Sequence, residues 1–175
     1  MKLIVIPFLL LLFNLANSQT VEVEYDKKRD FTIYKTFSFG ESQITTPADQ
    51  KGVPDTDMNS WIRNAVSSEL KRIGLNAVDS IANLVVSYEQ GTLGRTDSEQ
   101  LGPLGLTPGS NPDRNFNYQY RQSSIVIDLA DRNGNLIWRI NSTTNMTNAL
   151  TEGIVIGIVK RGFRKFDKLY RKKKK

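Results

Sequence analysis

Hydrophobic and polar residues alternate near the start of the chain, as they do in strands with one buried face. Val21, Val23 and Tyr25 alternate with acidic residues, which predicts a first strand. Apolar patterns downstream predict three further strands. The first covers 31–39 and would end at Gly40, the second covers 75–78, and the third, over 82–88, would be a central strand.

Two segments repeat their apolar residues at the spacing of a helix with one buried side. The first runs from Met58 to Ile73, with Asp55 or Thr56 positioned as the N-cap and Gly74 as the stop. The second runs from Leu150 to Tyr170. Its apolar stripe consists of Val155, Val159, Phe163, Phe166 and Tyr170, and its other side carries Lys160, Arg161, Arg164, Lys165, Lys168 and Arg171.

The clearest local signal is a β-hairpin. Segments 124–130 and 135–143 flank Asn133-Gly134, the dipeptide that best tolerates positive φ angles in a tight turn. A two-residue turn would place Leu129 opposite Trp138, Ile127 opposite Ile140 and Asp128 opposite Arg139, the last as a cross-strand ion pair.

Two segments rich in Gly and Pro predict loops. Residues 41–56 contain Pro47, Gly52 and Pro54 without periodicity, so they predict a connecting loop. Residues 90–117 have a higher density of both residue types. They predict a long loop or lid. Such a loop can carry function, and a surface insertion that is merely tolerated is an equal alternative.

Together these elements predict an α+β fold, an α/β sandwich in which a mixed, largely antiparallel sheet packs against two helices. The chain has 175 residues, of which 39% are hydrophobic and 24% charged, as in one globular domain. We expect residues 19–170 to form that single domain and residues 171–175 to form a basic tail.

The N-terminal segment predicts export. Lys2 precedes an apolar run over 3–13, and Ala16-Asn17-Ser18 offers small residues for cleavage. A membrane span needs about 20 apolar residues, and this run is too short, so residues 1–18 predict a cleaved signal peptide. We expect no membrane span in the mature chain that follows. Because the chain has no Cys, we expect an exported protein that is not a lipoprotein.

The absence of both Cys and His narrows the possible chemistry. It excludes Cys and His nucleophiles, the Ser-His-Asp triad and His or Cys zinc sites. An alternative hypothesis is a small exported hydrolase that uses the carboxylates Glu89, Asp128 or Asp131 near the 90–117 segment. The expected pairing of Asp128 with Arg139 favours a structural role for Asp128, and we predict no catalytic, cofactor or metal site.

Charge is distributed unevenly along the chain. Residues 19–159 carry 13 Lys and Arg against 17 Asp and Glu, a net charge of −4, whereas residues 160–175 carry 10 basic residues against Asp167, a net charge of +9. This basic end predicts contact with an anionic surface. The candidate contacts are Lys168, Arg171, Lys172, Lys173, Lys174 and Lys175.

The basic helix has two interpretations. Its apolar stripe either lies in a membrane interface or packs on the sheet. Packing is favoured because only one other helix is predicted to cover the sheet. Nucleic acid is not an expected partner, since the chain is acidic outside its C-terminal end and is expected to be exported.

The order and spacing of several segments over residues 20–170 resemble those of a known family. The segments are Val23-Glu24-Tyr25-Asp26, Phe31 with Tyr34-Lys35-Thr36-Phe37, residues 62–75, residues 82–88, and Ile127-Asp128-Leu129 with Leu136-Ile137-Trp138-Arg139. The chain resembles the bacterial domain of unknown function 4136 (DUF4136), which is common in cell-envelope proteins. The sequence departs from that family in lacking an acylated Cys and in its lysine tail. It also has Asn83 where the family usually has Asp, and Ile140 where Gly commonly follows the Trp-Arg pair.

The resemblance implies an α/β sandwich, export to the periplasm or outer-envelope periphery of a bacterium, and no assigned activity, so there are no catalytic residues to carry over. We therefore expect a non-enzymatic envelope module without a cofactor. Its expected partner is another envelope protein or an anionic envelope surface. Its oligomeric state is left open.

Overall fold

The chain folds into six strands and two helices in a computed structural model that describes residues 19–100, 115–146 and 149–172. The strands are β1 (Gln19–Tyr25), β2 (Thr36–Ile44), β3 (Asn76–Ala77), β4 (Leu84–Gln100), β5 (Asn115–Asp131) and β6 (Leu136–Met146). The helices are α1 (Asp55–Ile73) and α2 (Glu152–Lys172). The predicted signal peptide lies outside the described residues.

All six strands belong to one mixed sheet, in the order β1-β6-β5-β4-β2-β3. β2 pairs in parallel with β3 and β4, and the other neighbouring strands are antiparallel. The parallel β2–β3 pair requires a crossover connection, which α1 provides. The predicted single α+β domain with a mixed, largely antiparallel sheet and two helices is confirmed.

Both helices pack on one face of the sheet and enclose the hydrophobic core. Phe37, Val86, Ile127 and Ile140, one from each of four strands, are fully buried in this core. The predicted stripe of α2 is buried along its whole length, so the helix packs on the sheet as predicted. The exposed fraction is at most 1% for each of Val155, Val159, Phe163, Phe166 and Tyr170.

The segment before β2 differs from its prediction. Phe31–Ile33 forms a turn of 3-10 helix instead of a strand. The cause is local, because the Asp30 carboxylate accepts a hydrogen bond from the backbone N–H of Thr32 at 3.1 Å and so caps the turn. The strand starts only at Thr36.

Gly40 does not end β2, which continues to Ile44. The pairing of β2 with β4 shifts between Phe39 and Ser42, where a bulge absorbs one extra residue. A Cβ at Gly40 would lie 2.7 Å from Cγ1 of Val85, so the bulge needs a glycine there. The predicted 41–56 loop is therefore shortened at its start, and it also contains a 3-10 turn at Ala48–Gln50.

The loop predicted over 90–117 is wrong at both of its ends. β4 continues to Gln100, β5 begins at Asn115, and the two strands pair without interruption up to the Gln100–Asn115 pair. Gly91 and Gly94 lie within β4, because an antiparallel partner supplies the hydrogen bonds that outweigh their weak strand preference. The rest of the predicted loop, 101–114, lies outside the described residues.

The predicted hairpin pairs are confirmed, although the turn is one residue longer than predicted. The Asp131 N–H donates to the Asn135 carbonyl at 2.9 Å, so three residues form the turn, and of these only Gly134 has a positive φ, of 79°. The register of β5 and β6 shifts between Leu129 and Ala130. This irregularity offsets the longer turn, and the predicted pairs Leu129–Trp138, Ile127–Ile140 and Asp128–Arg139 form.

The ends of α1 follow the prediction in part. Pro54 occupies the N-cap position without a side-chain hydrogen bond, and Asp55 is the first helical residue, so the prediction that Asp55 or Thr56 caps the helix is wrong. Gly74 ends the helix in the left-handed conformation, with φ 114°, as predicted. Within the described ranges, neither helix has the length and apolar character to span a membrane.

Candidate binding surfaces

The outer side of α2 carries a dense row of cations. Because the apolar stripe is buried, the polar positions of the helix point away from the sheet. By the helical rise of 1.5 Å per residue, the row is about 18 Å long, and its place towards the C-terminus is favourable for the helix dipole. The exposed cations are Lys160, Arg161, Arg164, Lys165, Lys168, Arg171 and Lys172.

α1 adds three exposed cations to this side of the molecule. The two helices are linked by Arg72 of α1, whose guanidinium donates to the Asp167 carboxylate of α2 at 2.9 Å. We call the surface formed by Arg63, Lys71 and Arg72 together with the seven cations of α2 the helical face. Arg72 and Arg171 pair with carboxylates, whereas the other eight cations have no acidic partner among the described residues.

Two carboxylates among the cations of the helical face, Glu69 and Asp167, are neutralised by these two arginines. Near the N-termini of the helices, Asp57 and Glu152 are exposed as well. Arg72 donates to Glu69 at 2.9 Å as well as to Asp167, and the hydrogen bonds to Asp167 and Glu69 raise the pKa of Arg72. Burial acts to raise the pKa of Asp167, but hydrogen bonds from Arg171 and Arg72 hold it below its ordinary value. The charge that the helical face presents to solvent is therefore strongly positive.

Two cations of the helical face rest on aromatic rings. The Arg63 guanidinium lies 4.2 Å from the centre of the Phe39 ring, and the Lys165 ammonium lies 4.7 Å from the centre of the Tyr25 ring. A ring attracts a cation through its quadrupole without neutralising it. These contacts orient the two side chains and leave their charges available to an anionic ligand.

The sequence prediction located only part of this surface. Lys168, Arg171 and Lys172 are exposed as expected, and Lys173–Lys175 lie outside the described residues. The prediction left out the cations of the two preceding turns of α2, from Lys160 to Lys165. Their position opposite the apolar stripe was the signal that could have identified them.

The opposite side of the sheet has no helix on it in the described ranges. We call this surface the open face. Among the side chains that the structure describes, its charged residues are five carboxylates and one guanidinium, a net charge of −4, and many of the others are short. The charged members are Glu22, Glu24, Glu41, Glu89, Asp128 and Arg139, and the short ones include Ser38, Ser87, Ser124 and Thr143.

An ion pair occupies the middle of the open face. Arg139 donates two hydrogen bonds to Asp128, from Nε at 2.7 Å and from a terminal nitrogen at 2.6 Å. Glu24 lies directly opposite Arg139 in the register of β1 and β6. The hydrogen bond to Asp128 raises the pKa of Arg139, and the charge of Glu24 adds to this effect. Arg139 thus forms its ion pair with Asp128, while Glu24 acts on it only through its charge, and the face keeps an acidic excess.

Two of the three candidate carboxylates of the hydrolase hypothesis, Glu89 and Asp128, line one open cavity of about 610 Å³ on the open face, whereas Asp131 does not line it. Asp128 is held by Arg139, and Glu89 is exposed on the open face. Asp131 accepts hydrogen bonds from the backbone and side chain of Asn135, and the side-chain bond lowers its pKa, whereas a general acid needs a raised one. Among the described residues, no three acidic side chains are grouped in a way that could hold a metal ion.

The matched positions of a family model decide the classification of the chain. The model of DUF4136, a domain of unknown function, matches residues 21–165. The chain belongs to the DUF4136 family. The match covers the six strands, except for the first two residues of β1, and most of α2, whereas the last three cations of α2 follow the matched segment. No curated protein matches this DUF4136 chain.

Several solved structures are similar to this DUF4136 chain. A PelC dodecamer from Paraburkholderia phytofirmans is 11% identical with a TM-score of 0.47, and the match covers 83% of this chain and 94% of the PelC chain. A DUF4136 family protein from Bacteroides thetaiotaomicron is 12% identical with a TM-score of 0.46, and the coverage is 86% and 97%. A PDZ domain protein from Parabacteroides distasonis is 15% identical with a TM-score of 0.48, and the coverage is 85% and 36%.

A buried polar cluster of this DUF4136 chain was also missed by the sequence prediction. Gln90 is 2% exposed and donates to Thr92 at 2.9 Å and to Ser123 at 3.2 Å. Thr92 donates to Ser123 at 3.1 Å. Because the members satisfy one another, the cluster fixes the pairing of β4 with β5. The assignment of residues from Gln90 onward to a loop concealed it.

Proposed function

We propose that the chain is an exported, non-enzymatic component of the bacterial cell envelope that attaches to an anionic envelope surface through its helical face. The observation that supports this proposal is the set of eight exposed cations on α1 and α2 that have no acidic partner among the described residues. Export rests on the sequence of residues 1–18. The absence of Cys and His supports a non-enzymatic role.

The proposed attachment is electrostatic and peripheral. The apolar stripe of α2 is buried against the sheet, so the helix has only its cations to offer to a surface. Each Lys or Arg close to an anionic surface contributes about 1 kcal/mol of attraction. Eight such residues are sufficient for binding at low ionic strength, and salt should weaken that binding steeply because the charges are exposed.

The test is the fraction of the native protein that pellets with the cell envelope at low and at high salt. We expect pelleting at about 0.05 M salt and release at about 0.5 M, where the screening length falls to a few ångströms. A variant with Lys160, Arg164 and Lys168 changed to Ser should lose most of the pelleting. A second variant, with Lys172–Lys175 changed to Ser, measures how much of the pelleting depends on the tail.

The matched control changes cations outside the helical face. Lys27→Ser with Lys28→Ser and Lys51→Ser removes three exposed lysines outside the helical face, as many charges as the Lys160, Arg164 and Lys168 variant loses, and should leave pelleting unchanged. Equal loss in the control and in the helical-face variants would show a response to net charge alone and would overturn the proposal. Pelleting that resists high salt would overturn it as well.

A further inference from the structure

The molecule carries opposite charges on opposite sides of its sheet. The helical face has ten exposed cations, and the open face has a net charge of −4. We propose that copies of this chain associate head to tail, with the helical face of one copy docked on the open face of the next. This inference goes beyond the proposed function, because it concerns the acidic side of the sheet, which that function leaves unused.

The open face is built to accept another layer. Short side chains such as Ser38, Ser87 and Ser124, together with Gly40 and Gly91, leave room above three neighbouring strands. An open cavity of about 610 Å³, lined by Glu41, Ser87 and Glu89 among others, occupies this part of the face. A helix on a sheet is one of the standard two-layer arrangements. The molecule already uses it on the other side, and a helix from a neighbouring copy would complete a third layer.

The charges on the two faces match in extent. Glu22 and Glu24 lie on β1 and Glu89 lies on β4, three strands away in the sheet. At a spacing of about 4.8 Å between strands, these carboxylates span about 14 Å. The cations from Lys160 to Lys168 span about 12 Å along α2. A helix lying across the strands would therefore place its cations along the row of carboxylates.

Contacts between like faces are disfavoured by the same charges. Two helical faces would oppose cations, and two open faces would oppose carboxylates. A head-to-tail contact joins different surfaces and leaves one of each at the ends of an open assembly. The uncovered helical face at one end remains available for the anionic surface of the proposed function.

The experiment is sedimentation velocity of the purified protein over a range of concentrations, at low and high salt. The open-face variant carries Glu22→Lys and Glu89→Lys, and the helical-face variant carries Lys160→Glu and Lys168→Glu. All four positions are exposed, so both variants should fold, which circular dichroism verifies. We expect the native chain to associate at low salt and each variant alone to associate at least about tenfold more weakly.

The decisive measurement is an equimolar mixture of the two variants. Each supplies the charge that the other has lost, so association should return in the mixture. Two control variants change charge by the same amount in segments outside both faces: Asp49→Lys with Asp79→Lys, and Lys27→Glu with Lys28→Glu. Both controls should associate like the native chain.

Three results would overturn the inference: a native chain that is monomeric over the whole range at low salt, association that neither reversal weakens, and folded variants whose mixture stays monomeric. A monomeric native chain that still pellets with the envelope in a salt-dependent manner would leave the proposed function intact. Head-to-tail association without pelleting would support the inference and remove the proposed function.

Discussion

Gly162 lies where α2 packs tightly against Ile140 of β6. A Cβ at this position would come within 2.5 to 2.7 Å of three side-chain carbons of Ile140, which is itself fully buried. Alanine favours a helix by up to about 1 kcal/mol over glycine, but overpacking a core costs about 1–3 kcal/mol. We therefore expect Gly162→Ala to lower the free energy of unfolding by about 1 kcal/mol, measured by urea denaturation.

Gly157 in the same helix is the matched control. A Cβ there would meet only the guanidinium end of Arg161, at 3.8 Å, which is ordinary contact. Gly157→Ala should therefore raise the free energy of unfolding by about 0.5–1 kcal/mol through helix propensity alone. If both substitutions changed stability in the same direction, the close crossing of α2 over Ile140 would be wrong.

Asp167 couples stability to pH. Its pKa is lowered in the folded protein, so its contribution is present above the unfolded pKa of about 4 and is lost as the pH falls through the folded pKa. Asp167→Asn should reduce the free energy of unfolding by about 1 kcal/mol at pH 7, because Arg72 and Arg171 lose their shared partner. The difference from the native protein should shrink on acidification.

The control for Asp167 is Asp79→Asn, at an exposed position outside both helices. It should change stability by less than about 0.5 kcal/mol at any pH. Unfolding curves recorded from pH 7 to pH 3 provide the measurement. A destabilisation by Asp167→Asn that stayed constant over this range would contradict the assignment of the effect to the carboxylate charge.

The turn between β5 and β6 depends on the backbone conformation of Gly134. A two-residue turn would need positive φ at both Asn133 and Gly134, whereas the observed turn needs it only at Gly134. Gly134→Ala should cost about 1–2 kcal/mol, because its surroundings are open and only the backbone is strained. Asn133→Ala should cost much less, and comparable costs in thermal unfolding would favour the two-residue turn.

The elements that sequence predicts well are those with a strong period and local stops. The stripe of α2 and the stop of α1 at Gly74 follow from such signals. Alternation places Asp128 and Arg139 on one face, but their pairing was predicted from a two-residue turn and forms because a register shift offsets the longer turn. Long-range pairing and one unrecognised local cap determined the rest. The pairing of β4 with β5 incorporated glycines that predict a loop, and Asp30 turned Phe31–Ile33 into a 3-10 helix.

The two candidate surfaces differ in how far they could be predicted from the sequence. The cations of α2 follow from the period of a single helix, and their full extent could be derived from the sequence. The acidic face could not, because it combines Glu22 and Glu24 of β1 with Glu89 of β4. Only the strand order brings these residues onto one surface.

At the scale of the whole molecule, the two faces predict how the protein is oriented on an anionic surface. The absence of native Cys allows a single thiol to be introduced on either side. Ser68 is exposed on α1, on the side of the helices, and Ser124 is exposed on the open face. Replacing either hydroxyl by a thiol is a small change, so Ser68→Cys and Ser124→Cys should both leave the fold intact.

The rate of alkylation of each thiol then reports which face is covered. Vesicles that contain anionic lipid should slow alkylation of Ser68→Cys and leave Ser124→Cys unchanged in a dilute, monomeric sample, because the helical face is attracted to the vesicle and the open face is repelled. At concentrations where copies associate without vesicles, both thiols should be protected, since each docked contact covers one helical face and one open face. Vesicles of neutral lipid serve as the control and should protect neither thiol. Protection of Ser124→Cys alone by anionic vesicles would reverse the orientation and contradict the assignment of the helical face as the attachment surface.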